Sequence, residues 1–226
     1  MLVIFDCDGV LIDSEILVAR VWAQALAGYG IDVSKENLIA EFVGKTDMDL
    51  ARRFLERYQG YNLPPSDIFL SQLRQAVSEM MRNQLEVIPG VMPVLAELPY
   101  DRCVCSNSGR TRSFESLEKV GLVHYFGNNH IFSADDVAKP KPAPDIFLHA
   151  AQKMNYTPKQ CVVIEDSLTG VKAAVAAGMR VIGFTGGSHV GPEKYFELIA
   201  AGAQQICASM DQLSGIIDKI FASTRR

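Results

Sequence analysis

Short, almost wholly apolar runs rich in β-branched residues most constrain what this chain can fold into. They lie at 2–5 (LVIF), 102–105 (RCVC), 161–164 (CVVI) and 180–184 (RVIGF), with a weaker run at 204–207 (QQIC). Strands buried on both faces of a parallel sheet show this near-continuous hydrophobicity. Helical periodicity fills most of the stretches between the runs. The alternation predicts an α/β fold built on an open, doubly wound parallel sheet.

One long segment interrupts this alternation. From 14 to about 86, the stretches ILVARVWAQALAGYG, ENLIAEFVG, MDLARRFLERYQG and SDIFLSQLRQAVSEMMRNQL follow one another without a strand signal. Their apolar residues recur at helical spacing. We therefore predict an all-helical insert at 14–87, and an α/β core formed by 1–13 together with 88–226. Trp22 and the methionine pair at 80–81 are expected in the core of the insert.

Composition excludes several classes of partner. The chain has a net charge of −4, with 48% hydrophobic and 21% charged residues, and no basic block that would suit a nucleic acid or an anionic membrane. No apolar run approaches the ~18 residues that a membrane span requires. The cysteines are odd in number and lie mostly in apolar runs, which predicts reduced, buried thiols in a cytoplasmic protein. They are Cys7, Cys103, Cys105, Cys161 and Cys207.

The first apolar run leads directly into two carboxylates, in the stretch FDCDG. Side chains two apart in a strand lie on one face, so Asp6 and Asp8 can point at one spot beyond the strand. Two adjacent carboxylates repel unless a cation or a shared proton relieves them, and Mg²⁺ is the hard cation that suits such oxygens. Gly9 permits a sharp turn there. An ordinary polar turn remains the alternative interpretation of this motif alone.

Polar groups also follow other apolar runs. In CSNSG, the Ser106 hydroxyl and the Asn107 amide suit a phosphoryl oxygen, although a routine turn before a helix has the same composition. In AKPKPAPDIF, the prolines favour an extended backbone from which Lys139 and Lys141 project. A lysine fixed there could neutralise a phosphoryl group, or the segment could be a solvated linker.

A third apolar strand is predicted to end in VVIEDSLTG, where Glu165 and Asp166 could supply further metal ligands or begin a helix. In an open parallel sheet, the carboxyl ends of the strands share one edge, which is where ligands bind. The four histidines show no ligand spacing and are not expected to contact these motifs. They are His124, His130, His149 and His189.

Taken together, FDCDG, CSNS, KPAPD and VIEDS resemble the four signature motifs of the haloacid dehalogenase superfamily, and the resemblance covers nearly the whole chain. The helical insert is similar to the family's helical cap. The resemblance implies a Rossmann-like core with a cap that closes over the substrate. It is nearest to the β-phosphoglucomutase-like sugar-phosphate phosphatases, and implies a phosphatase acting on sugar or sugar-acid phosphates.

By this resemblance, Asp6 is the nucleophile that becomes a phosphoaspartate, and Asp8 is the general acid and then the general base. Mg²⁺ would bind Asp6, the main-chain carbonyl of Asp8 and Asp166, with Glu165 acting through a bound water. Ser106 would hydrogen-bond the phosphoryl group, with Asn107 as a further substrate contact. Lys141 directly precedes the Pro-Ala-Pro-Asp stretch and matches the motif lysine better than Lys139 does.

Specificity would come from the cap, in which Lys45 of EFVGKTD could reach a sugar-phosphate or carboxylate group. Asp8 argues against a dehalogenase, which needs no acid to expel halide. Val18 stands where the mutase branch carries a histidine, which weakens a phosphosugar mutase as the alternative. A non-catalytic binding module on the same fold is a third possibility. Nothing in the sequence demands more than a monomer, so a monomer is expected. The sequence leaves open whether Met1 is the native start.

Overall fold

Six parallel strands form one sheet within residues 1–42 and 47–222, the ranges that this computed structural model describes. The strands are β1 (Leu2–Phe5), β2 (Asp101–Ser106), β3 (Ile131–Ser133), β4 (Cys161–Glu165), β5 (Arg180–Phe184) and β6 (Gln205–Cys207). Their spatial order is β3-β2-β1-β4-β5-β6. The α/β class and the doubly wound sheet are therefore confirmed. β3 was not predicted, since it has only two apolar residues, and the equally short β6 was predicted only from a weak run.

Helices connect the strands and cover the sheet. The α-helices are α1 (Glu15–Ala27), α2 (Lys35–Phe42), α3 (Asp47–Arg57), α4 (Ser66–Gln84), α5 (Val91–Glu97), α6 (Arg110–Lys119), α7 (Val123–Phe126), α8 (Asp145–Lys153), α9 (Leu168–Ala176), α10 (Lys194–Ala201) and α11 (Leu213–Ala222). Short 3₁₀ turns lie at Asn128–His130, Ala134–Asp136, Pro158–Gln160 and Met210–Gln212. No helix in these described ranges is long and apolar enough to cross a membrane.

The central strand β1 is paired on both edges and buried on both faces. Its side chains alternate between two hydrophobic clusters, with Val3 and Phe5 in one and Leu2 and Ile4 in the other, and all four are buried. It pairs with β2 on one side and β4 on the other. The order changes direction between β1 and β4, and open α/β sheets bind ligands beside such a point.

The predicted helical insert corresponds to α1–α4, which follow β1 without an intervening strand among the described residues. Trp22 of α1 is buried, as the sequence predicts, and lies 5.2 Å from the ring of Phe54 and 5.9 Å from that of Phe69. This aromatic cluster joins three of the four helices. The division of the chain into an insert at 14–87 and a core remains a prediction.

The two segments that lead into and out of these helices run side by side. The Asp13 N–H donates to the Glu86 carbonyl at 3.0 Å, and the Ile88 N–H donates to the Leu11 carbonyl at 3.0 Å. Ile12 and Val87 form an antiparallel bridge between these bonds. The chain therefore enters and leaves these helices through one hydrogen-bonded pair of extended segments.

The five cysteines, all within the described residues, are buried free thiols, as predicted. Burial raises the pKa of the Cys161 thiol to about 12 and that of Cys207 to about 11. Both thiols therefore stay protonated at neutral pH, and they behave as small apolar side chains.

We expect Trp22→Ala to lower the free energy of unfolding by about 3–5 kcal/mol, because it removes the centre of the aromatic cluster and leaves a cavity. Urea titration followed by circular dichroism measures the loss. Phe196→Ala is the matched control, since Phe196 is 73% exposed and its removal should change stability by no more than about 0.5 kcal/mol. Equal losses in the two variants would contradict the packing described here.

Candidate functional site

Three of the predicted motifs meet at the carboxyl edge of the sheet. Asp6 directly follows β1, Ser106 ends β2, and Glu165 ends β4. These positions are neighbours because β1 pairs in parallel with both other strands. The Asp6 N–H donates to the Ile164 carbonyl at 2.9 Å, which extends the pairing one residue beyond β1. The backbone of Asp6 is therefore hydrogen-bonded to β4 in the same way as the strand before it.

Lys141, from the KPAPD motif, reaches this edge and makes three contacts there. Its Nζ donates to Asp6 Oδ1 at 2.6 Å, to Glu165 Oε1 at 2.8 Å and to the carbonyl of Cys105 at 2.8 Å. The ammonium also lies 4.9 Å from the centre of the Phe147 ring. Burial alone would lower the pKa of Lys141, but the Asp6 and Glu165 carboxylates outweigh it and raise the pKa. The lysine is therefore a fixed positive charge.

The backbone of Lys141 is held by Asn107. The Asn107 side-chain oxygen accepts the Lys141 N–H at 2.9 Å, and its Nδ2 donates to the Lys141 carbonyl at 3.1 Å. Both polar atoms of this amide are thus engaged with one residue, where the sequence analysis expected a substrate contact. Lys139, the other candidate for the motif lysine, is exposed. The structure brings Lys141 to the carboxylates.

The Asp8 carboxylate lies beside this cluster and accepts three hydroxyl groups. Ser14 donates to Oδ1 at 2.6 Å, and Ser108 and Ser106 donate to Oδ2 at 2.8 and 3.3 Å. Arg112 Nη2 lies 3.5 Å from Oδ1. Burial would raise the pKa of Asp8, but the Arg112 guanidinium and the three hydroxyls together hold it below its usual value. Asp8 is a carboxylate in this state.

Three carboxylates can supply oxygens to one point. Asp6, Glu165 and Asp166 each have an oxygen within 4.8 Å of the others, and all three side chains are buried. Burial raises the pKa of Asp6 well above its usual value, Glu165 and Asp166 add to the rise, and Lys141 opposes it. Glu165 Oε2 also accepts the N–H and hydroxyl of Ser167, at 2.7 and 2.9 Å. This donor set is the hard oxygen type that Mg²⁺ prefers.

The prediction that no histidine contacts the motifs was wrong for His189. This residue lies in the loop after β5, and its Nε2 is 2.9 Å from Asp166 Oδ2. Its imidazole is buried with the carboxylate. Burial would lower the pKa of His189, but Asp166 and the nearby Glu15 and Asp13 carboxylates raise it overall.

Other side chains at the site were also missed. Ser14 directly precedes α1, Ser108 lies between β2 and α6, and Arg112 lies in the first turn of α6. Glu15 is half-buried at the start of α1, and burial, with the Asp8 charge adding to it, raises its pKa to about 7. Ser108 is the last residue of the CSNS motif, so its position was the available signal. The local sequence around His189 and Arg112 offers no such signal.

Lys45, predicted to reach the substrate from the insert, lies outside the described residues. The helices on either side of its segment end at Phe42 and begin at Asp47. Its role stays a prediction.

Gly9 has a backbone that only glycine adopts easily and a site that leaves no room for a side chain. Its φ is +83°, and a Cβ placed there would lie 2.2 Å from Asp166 Oδ2 and 2.7 Å from His189 Cε1. The turn after β1 therefore packs directly against the carboxylate of Asp166.

We expect Gly9→Ala to destabilise the protein more than Gly121→Ala does. Both residues have positive φ, +83° and +74°, so both variants carry strain of about 1–3 kcal/mol. Only Gly9 adds a collision, because nothing lies within 4 Å of a Cβ at Gly121. Urea unfolding of both variants measures the difference. Equal destabilisation would show that the turn can move away from Asp166 at no cost.

Comparison with known proteins gives a consistent result. A family model described as haloacid dehalogenase-like hydrolase matches residues 3–184. The chain is 30% identical to 6-phosphogluconate phosphatase of Escherichia coli (strain K12) over 190 residues, which cover 84% of this chain and 85% of that protein. It is 33% identical to fructose-1-phosphate phosphatase YqaB of the same organism over 181 residues, which cover 79% of this chain and 93% of that protein.

A solved structure is similar over nearly the full length. The crystal structure of a conserved haloacid dehalogenase-like protein of unknown function from Agrobacterium tumefaciens str. C58 superposes with a TM-score of 0.86 at 39% sequence identity. The match covers 97% of this chain and 98% of that chain. The similarity therefore includes the helices after β1 as well as the sheet.

Proposed function

This chain belongs to the haloacid dehalogenase-like hydrolases and is a phosphoric monoester hydrolase, and on that premise we propose that it is a Mg²⁺-dependent phosphatase acting through a phosphoaspartate. Its substrates are small phosphorylated metabolites, of the sugar-phosphate or sugar-acid-phosphate class. The names of the two relatives, one a 6-phosphogluconate phosphatase and the other a fructose-1-phosphate phosphatase, support this class. The buried, reduced cysteines support a cytoplasmic location.

The observation that carries the proposal is the placement of Asp6. One of its oxygens is held by Lys141 at 2.6 Å, on a backbone anchored by the sheet. A nucleophile must approach phosphorus in line with the leaving oxygen, so a fixed carboxylate lowers the entropic cost of attack. The neighbouring Asp8 supplies a group that can move a proton.

In the proposed reaction, an Asp6 oxygen attacks phosphorus, and the bond between phosphorus and the ester oxygen breaks. Asp8 in its acid form gives its proton to that leaving oxygen. Water then attacks the phosphoaspartate while the Asp8 carboxylate takes a proton from it, and inorganic phosphate and free Asp6 result. The contacts of Asp8 favour its carboxylate, which is the form required in the second step. Substrate entry must therefore weaken at least one of those contacts for the first step.

Ser106 and Lys141 are proposed to hold the phosphoryl oxygens. The Ser106 hydroxyl lies between the Asp8 carboxylate and the Ser108 N–H, at 3.3 and 3.0 Å, and can turn toward a phosphoryl group. Lys141 neutralises charge between the phosphoryl group and Asp6. Since the Asn107 amide holds the backbone of Lys141, we assign Asn107 a positioning role beside any direct substrate contact.

The residues present fit Mg²⁺. Asp6, Glu165 and Asp166 place three buried carboxylates within reach of one point, and a divalent cation bound there would relieve the repulsion that Lys141 does not offset. Asp6, Asp166 and the main-chain carbonyl of Asp8 would hold the ion. Both Glu165 oxygens already accept hydrogen bonds from Lys141 and Ser167, which supports a contact through bound water. The ion, when bound, neutralises charge on the phosphoryl oxygens.

Asp6→Asn should reduce phosphate release to below about one thousandth of the wild-type rate, because it removes the nucleophile. The assay measures free phosphate from a panel of sugar phosphates, sugar-acid phosphates and nucleotides. Asp67→Asn is the control, since Asp67 is an exposed carboxylate in the first turn of α4 and should leave turnover unchanged. Mass spectrometry of acid-quenched wild-type enzyme should find the phosphoryl adduct on the peptide that contains Asp6.

The same assay separates the alternatives. A phosphosugar mutase discharges the phosphoaspartate onto a sugar hydroxyl and yields isomerised sugar phosphate without free phosphate. A binding module yields neither product. Release of phosphate from folded wild-type protein, lost in Asp6→Asn, is the outcome that supports the phosphatase. Val18, at the position of the mutase histidine, is buried in α1, so it offers no catalytic group there.

Removal of the ion should abolish turnover, and the ion should also stabilise the folded protein. We expect Mg²⁺ to raise the melting temperature of wild-type protein, because a ligand that binds only the folded state stabilises it. Asp166→Asn should lose most of that rise, whereas Asp67→Asn should keep it. A rise that persists in Asp166→Asn would place the ion elsewhere. The thermal shift needs no substrate, so it tests the metal site separately from catalysis.

A further inference from the structure

A cleft of about 410 Å³ lies between α4 and α6, and its lining includes Arg112, which approaches Asp8. Its volume falls within the range of small-ligand sites. On the side of α1 and α4, most of the lining residues are apolar, namely Trp22, Leu70, Leu73, Val77, Met81 and Leu85, with Arg74, Ser78 and Arg82 among them. The opposite side, which is formed mainly by α6, is polar. A ligand in this cleft would contact the insert and the sheet-bearing part of the chain together.

The charged groups that line the cleft are mostly cationic. Arg74 and Arg82 come from α4, and Arg112 and Lys119 come from α6. Two carboxylates, Glu115 and Asp135, line it as well, and Asp135 Oδ2 already accepts the N–H of Arg110 at 2.8 Å. In a chain with a net charge of −4, four cations against two acids make this cleft a local positive site. An anionic ligand would be favoured there.

Arg112 connects the cleft to the reacting groups. Its side chain is 28% exposed, it lines the cleft, and its Nη2 lies 3.5 Å from Asp8 Oδ1. That separation is longer than a hydrogen bond of normal length. The Asp8 oxygens already accept hydroxyls from Ser14, Ser106 and Ser108. A second anion can therefore compete for the guanidinium without leaving Asp8 unsatisfied.

We propose that Arg112 forms a subsite for a second anionic group on the substrate, so that the enzyme prefers phosphomonoesters whose leaving alcohol carries a carboxylate or another phosphate. This inference rests on the proposed phosphatase function and narrows its substrate class. The leaving oxygen must lie next to Asp8, which protonates it. An anion carried on the same alcohol therefore enters the cleft past Arg112, whose planar fork matches carboxylate and phosphate oxygens.

Pairs of substrates that differ only in one group test the subsite. We would measure kcat/KM for phosphoglycolate against 2-hydroxyethyl phosphate, 3-phosphoglycerate against glycerol 3-phosphate, and 6-phosphogluconate against sorbitol 6-phosphate. Each pair exchanges a carboxylate for a hydroxymethyl group at a different distance from the phosphate. Wild-type enzyme should favour the carboxylate member of at least one pair by 10-fold or more.

Arg112→Gln should reduce that preference to within 3-fold by slowing the carboxylate member selectively, and Arg112→Lys should keep part of it. Arg110→Gln is the matched control on the same helix. Arg110 pairs with Asp136 and is not among the residues that line the cleft, so the full preference should remain. The ratio within a pair is the readout, because a general disturbance of Asp8 would slow both members alike.

The outcomes separate the two levels of the proposal. Phosphate release without preference in any pair, or an equal loss for both members in Arg112→Gln, would overturn the subsite while the phosphatase stands. No phosphate release from any substrate by folded wild-type enzyme would overturn the phosphatase and the subsite with it. Selective loss in Arg112→Gln, with Arg110→Gln unchanged, supports both.

Discussion

The buried ammonium of Lys141 is the contact on which the arrangement at the edge of the sheet depends. It joins the residue after β1, the carbonyl of Cys105 in β2 and the carboxylate that ends β4. A charge so deeply buried is costly unless it is paired and fully hydrogen-bonded, and here each of its three donors has an acceptor. Lys141 also opposes the rise in the pKa of Asp6 that burial and the neighbouring Glu165 carboxylate cause. The position of the proposed nucleophile, Asp6, therefore depends on its contact with Lys141.

The position of the lysine is itself determined at a second level. Asn107 holds its backbone on both sides, through one accepted and one donated hydrogen bond. Asn107 and Lys141 are 34 positions apart in the chain, so the residue after β2 determines where the KPAPD motif lies. Gly9 also constrains the site, because the absence of a side chain there leaves room for Asp166 and His189. The site is thus constrained by backbone contacts before any substrate binds.

Much of this arrangement could be predicted from the sequence, because polar residues that directly follow the strands of a parallel sheet all lie at its carboxyl edge. That reasoning placed Asp6, Ser106 and Glu165 correctly, and favoured Lys141 over the exposed Lys139. It failed where position depends on tertiary packing. His189 comes from a loop with no motif of its own, and Arg112 lies on an ordinary helical turn. β3, with only two apolar residues, was missed, whereas the equally short β6 was predicted from a weak run. The catalytic roles remain predictions until they are measured.

The paired segments around Ile12 and Val87 have a consequence for how such enzymes diversify. The segments that lead into and out of α1–α4, the predicted insert, are adjacent and hydrogen-bonded to each other. An inserted unit whose ends lie so close can be lengthened, shortened or exchanged without altering the spacing of the strands. Selection can therefore change the walls of the cleft while the chemistry at the sheet edge stays the same. One scaffold can in this way supply a lineage of enzymes with different substrates.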